Sequence, residues 1–151
     1  MSLWAATAES AAVPATMATI LEVNPPAGRR VVVSEASITF SGVSSTDVPV
    51  LVQTCRVTAA SAAGTAVTPA DQQDSGGTVL AAAKKLPASE GTVVILKTYM
   101  VPPSSGLVIQ YPLGREPRVE GAAAAAKGYS VRANRGAGAA INSDANIEWE
   151  E

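Results

Sequence analysis

The sequence predicts an all-β fold, an antiparallel β-sandwich in the form of a single jelly roll, preceded by an extended N-terminal arm. Three observations predict it. Short stretches in which apolar and polar residues alternate recur along the chain, the period of a half-buried strand. Clusters of Gly, Pro and Ser separate these stretches and supply turns. No stretch has the apolar spacing of an amphipathic helix of ordinary length, and a parallel sheet needs such helices for its crossovers. At 151 residues the chain has the size of one domain.

Residues 1–16 read as the arm. Ala, Ser and Thr dominate, with Leu3 and Trp4 near the tip. An isolated helix this short is marginal in water. Trp4 then packs either on its own domain or on a neighbouring subunit, and the arm is expected to act as a docking strap. The sandwich domain spans residues 17–151. Met17, Thr19, Leu21 and Val23 alternate with their neighbours until Pro25 and Pro26 break the strand. Residues 30–40 form a second strand, with Ala36, Ile38 and Phe40 on one face. Residues 41–47 are a polar turn. Residues 48–58 form a third strand, with Val50, Val52 and Thr54 on one face and Leu51, Gln53 and Cys55 on the other. Residues 59–77 are a long connection of small and polar residues. Residues 78–83 form a short strand, and residues 92–101, rich in β-branched side chains, form a strong one closed by Pro102 and Pro103. Short strands follow at 107–111 and 129–133, residues 118–121 form an edge piece, and residues 141–149 end the series, about eight strands in all. Ala122 to Ala126, between Gly121 and Gly128, form a loop or one helical turn. The expected core includes Ile38, Phe40, Val52, Val94 and Trp149.

Composition narrows the chemistry. There is no histidine, which removes the commonest general base and metal ligand. Cys55 is the only cysteine, so no intramolecular disulfide forms and the thiol reads as a small buried side chain. A net charge of −2 argues against binding nucleic acid. No apolar run approaches the roughly 20 residues that cross a bilayer, and residues 1–18 lack the pattern of a secretion signal. Arg135 to Ile141 begins like a dinucleotide loop but lacks the third glycine and the following helix. Glu148, Glu150 and Glu151 cluster at a chain end, a poor place for a fixed catalytic pair. The chain is therefore expected to be no enzyme, with no catalytic residue, cofactor or metal. Charge is uneven. Residues 84–135 carry eight basic and three acidic side chains, and residues 144–151 carry four acids and no base. This predicts that the acidic end meets a basic patch on an adjoining subunit, with Leu3, Trp4, Arg132, Arg135, Glu150 and Glu151 as interface residues.

Several phrases resemble small jelly-roll virion proteins of tailed bacteriophages, especially head decoration (cement) proteins. They are the run from Arg29 to Phe40, RRVVVSEASITF; the run from Val48 to Thr58, VPVLVQTCRVT; Pro112 to Pro117, PLGREP; and the closing Ile147 to Glu151, IEWEE. The resemblance covers residues 17–151. It implies a noncatalytic protein that stabilises the outer surface of a phage head, commonly trimeric. Its partners would be copies of itself and the major capsid protein, and its location the virion after synthesis in the host cytoplasm. The residues leave open a receptor-binding or fibre-tip module, or a tail or connector component. The residues before 17 match nothing in those proteins.

Overall fold

The computed structural model describes residues 2–42, 48–73, 76–124 and 126–151. It is an all-β sandwich of two antiparallel sheets, with twelve strands among the described residues. In chain order these are β1 (Leu3–Ala12), β2 (Ala18–Asn24), β3 (Arg30–Phe40), β4 (Val50–Ala59), β5 (Thr65–Val67), β6 (Ala70–Asp71), β7 (Ala82–Lys85), β8 (Thr92–Val101), β9 (Gly106–Gln110), β10 (Arg118–Glu120), β11 (Gly128–Asn134) and β12 (Asn142–Glu150). One sheet runs β10-β3-β12-β1-β6, with β9 beside β10 along the outer edge of β3. The other runs β5-β7-β2-β11-β4-β8.

The strands at 30–40 and 92–101 have the bounds expected from the sequence. Three strands, β1, β5 and β6, appear where none was expected, for two reasons. The 59–77 connection contains two short strands, β5 and β6, of three and two residues, too short to show an alternation. The supposed arm is the larger correction. Residues 3–12 do not extend away from a separate domain. They form β1, inside its sheet between β12 and β6. Leu3 pairs with Glu150, Trp4 with Trp149, Ala6 with Ile147 and Ala8 with Ala145. The turn expected at 41–47 lies mostly outside the described residues, as do residues 74 and 75 of the connection and residue 125 of the alanine tract.

Packing explains why so small-sided a segment belongs in the core. The register aligns three strands into rows: Trp4–Trp149–Val33, Ala6–Ile147–Ala36, Ala8–Ala145–Ile38 and Ala11–Ser143–Phe40. Bulky and small side chains share the last three of these rows, and every residue of the four rows is buried. A bulge between Ala8 and Ala11 keeps both alanines buried. It places Ser10 at φ +50°, where its N–H donates to Asp144 Oδ1 at 2.6 Å. On the facing sheet Leu21, Val23, Val52, Tyr129 and Val131 close the core.

Of the expected core, Ile38, Phe40, Val52 and Trp149 are buried, whereas Val94 is 43 % exposed. Strand periodicity says that a residue shares a face with its second neighbour, but not that anything covers that face. Val94 lies on β8, at the edge of its sheet, where the opposite sheet does not reach far enough to cover it.

Candidate functional site

The residues expected at an interface are placed in two groups. Leu3, Trp4, Glu150 and Glu151 come together at one end of the β1–β12 pair. Trp4 is 5 % exposed and packs in its own core, so it is no strap tip. The Glu151 carboxylate accepts the N–H groups of Leu80 at 2.7 Å and Ala81 at 3.1 Å, tying down the approach to β7. Arg132 and Arg135 lie on the other sheet side. Arg132 pairs with Glu90 at 3.3 Å, and Arg135 donates to the carbonyls of Val13 and Gly138. The structure thus gives most of these charges partners within the chain.

Much of this pairing belongs to a polar cluster on the outer face of the second sheet. Glu22 is fully buried, and its carboxylate accepts from Ser61 Oγ at 2.6 Å, Ser61 N at 3.2 Å and Asn24 Nδ2 at 2.8 Å, with Lys84 Nζ at 3.5 Å. Glu90 accepts from Thr19 N and Oγ1 at 2.6 and 2.7 Å. Gly91 N donates to Ser61 Oγ at 3.1 Å. These bonds hold the segments 59–64 and 86–91 over the sheet and bury Cys55. Burial pushes the Cys55 thiol above its ordinary 9.0, outweighing the opposite pull of Arg132. Such a thiol stays protonated and unreactive. Among the described residues, no group of three or more His, Cys, Asp or Glu is placed to hold a metal ion.

Two surface features face outward from the side where β8 of one sheet lies across from β9 and β10 of the other. The first is apolar. β8 is a ten-residue edge strand whose Val94, Ile95, Leu96 and Met100 are 41–63 % exposed. Long apolar edges invite association. Here the register slips at Leu96, opposite the step from Thr54 to Cys55, and Lys97 follows. A bulge and a lysine are the devices that stop open-ended strand addition. The edge is therefore suited to side-chain packing more than to continued pairing.

The second feature is cationic, three neighbouring hollows of about 640, 430 and 260 Å³ that share Arg118 in their linings, the two smaller ones between β10 and the β4–β8 edge. The largest mixes Arg29, Arg30 and Arg118 with Glu116, Glu150 and Glu151. The middle one holds Arg30, Arg56, Arg118 and Lys127 against Glu120 alone. The smallest holds Arg56, Lys97, Arg115 and Arg118 and no carboxylate. Arg56 faces the gap because it pairs with Tyr129, which is buried between the sheets. The Tyr129 hydroxyl meets that of Tyr111 at 2.8 Å, and the two rings stand edge to face at 6.3 Å. Burial first, and then the neighbouring Tyr111, push the Tyr129 phenol far above its usual range. Lys97 Nζ sits 5.8 Å from the Tyr111 ring centre, a cation–π distance. Sequence reading registered a basic excess over residues 84–135, but not that Arg30 and Arg56, from earlier strands, would join it. No protein-family model matches the chain, and no curated protein or solved structure matches it.

Proposed function

We propose that this chain is a noncatalytic virion protein, a head decoration protein of a tailed bacteriophage. It packs with copies of itself as a homotrimer and reinforces the outer surface of the capsid against the major capsid protein. The observation that carries this reading is the apolar edge of β8, where Val94, Ile95, Leu96 and Met100 stand exposed along one strand. Apolar surface of this kind gains free energy when a neighbour covers it. The bulge at Leu96 favours a closed contact over an open fibre. The phrases at 29–40, 48–58, 112–117 and 147–151 supply the resemblance to decoration proteins, and with it the jelly-roll relationship and the trimer. Many copies on a symmetric lattice let individually weak contacts add up.

Sedimentation at micromolar concentration tests the association, and copy counting tests the role. A trimeric species, and hundreds of copies per particle spread over the head, are the expected results. A handful of copies at one vertex or on the tail would reassign the protein to a fibre or connector. A purely 15.2 kDa species both free and on particles would remove the trimer.

A further inference from the structure

We infer that the cleft between β10 and the β4–β8 edge is a docking site for an extended acidic segment of a partner protein. Three independent features of the cleft converge on that occupant. The first is unbalanced charge. Arg30, Arg56, Arg115 and Lys127 have no carboxylate within ion-pair distance among the described residues, and Arg118 reaches Glu116 only at 3.9 Å. The whole chain carries −2, so this basicity is local. Like charges held together repel, and a bound anion relieves the repulsion. Guanidinium forks match carboxylates in pairs of parallel hydrogen bonds.

The second feature is apolar lining. Leu96, Tyr111, Pro117 and Val119 share the smallest section with its four cations. A ligand that offers charge alone leaves these surfaces wet, whereas a peptide that alternates acidic and apolar side chains covers both.

The third feature is a free strand edge. β10 pairs only with β3. Pro117 O accepts from Val33 N at 3.0 Å and Gly121 N donates to Arg29 O at 2.8 Å, so residues 117 and 121 face β3. Backbone groups alternate sides in an antiparallel pair, which turns those of Arg118 and Glu120 to the open side. An added strand finds a template there, and its alternate side chains fall over the cations. A phosphate chain would supply the charge but not the apolar side chains that the lining of the smallest hollow takes. The inference is separate from the decoration reading, since it concerns binding by the isolated protein and not its copy number or location.

The test is fluorescence anisotropy with a short labelled peptide that alternates glutamate with valine and threonine. Saturable binding that weakens as salt rises is expected. Arg56→Glu and Arg118→Glu should each weaken it by roughly tenfold or more, the scale of a lost charge-assisted contact. Lys85→Glu, a charge reversal away from the cleft, should leave it within about twofold. Thermal melting of each variant shows that the fold is retained, and the milder Arg56→Gln should still weaken binding if Arg56→Glu does not fold. Unlabelled oligothymidylate and a sulfated oligosaccharide serve as competitors. Displacement by either at concentrations below that of unlabelled peptide would overturn the proposal in favour of a polyanion site. Absence of peptide binding, or equal loss in the Lys85→Glu control, would overturn it outright.

Discussion

Trp4 and Trp149 stand directly opposite one another on β1 and β12, both buried. Trp4→Ala should therefore cost about 3–5 kcal/mol, and Phe40→Ala a similar amount, read from urea denaturation of the purified protein. Were Trp4 a docking residue, its loss would leave the midpoint unchanged. Glu22 is the buried charge on which Ser61, Asn24 and Lys84 converge. Glu22→Ala leaves those donors without their acceptor and should cost about 2–4 kcal/mol in the same measurement. Cys55 and Tyr129 set the alkaline limit. Both hold their protons more tightly in the native state than at their ordinary values of 9.0 and 10.0. The unfolded chain gives them up first, so stability contributed by these groups is intact below about pH 9 and falls as pH rises beyond it. Urea titrations across that range should show the fall, and Tyr129→Phe should make it shallower. Residues whose strand alternation coincided with bulk, such as Ile38, Phe40 and Val52, were legible as core. Trp4 was not, because the alanines around it carry no alternation of size.

Those alanines are explained only at the scale of the element. β1 is a strand because its small side chains complement the bulky ones of β12 and β3, a relation between segments that one segment does not display. The opposite error concerns β8, whose β-branched run was legible as a strand but whose position at an edge was not. Two expectations separate these elements. Val52→Ala, in the core, should cost about 2 kcal/mol, while Val94→Ala should change stability by less than about 0.5 kcal/mol. Replacing both Ile95 and Met100 by aspartate should leave the melting temperature of the protomer nearly unchanged and abolish the proposed trimer in sedimentation. A trimer that survives the double replacement would place the self-contact elsewhere.

For the molecule as a whole, the sandwich class was legible because periodicity and breakers act locally. The cleft was not, because Arg30, Arg56, Arg118 and Lys127 lie on or beside four different strands and meet only through the order of the sheets. That order has a further consequence. β12 lies between β3 and β1, and bonded pairs such as Thr7 with Asn146 join residues 139 positions apart. As the chain leaves the ribosome, the first sheet stays in two pieces, with β1 lacking its main partner, until residues 142–150 have emerged. Contacts this distant in sequence close slowly, because the loop entropy comes before the reward. Folding is thus expected to complete only after that last strand is released, and a ribosome-bound chain stopped at residue 141 should remain sensitive to protease while one extended past residue 151 by a linker should resist it. Until then β1 is an open strand in a crowded cell, and its alanines, with Thr7, Glu9 and Ser10 among them, make it a poor seed for aggregation where a bulkier sequence would be a good one.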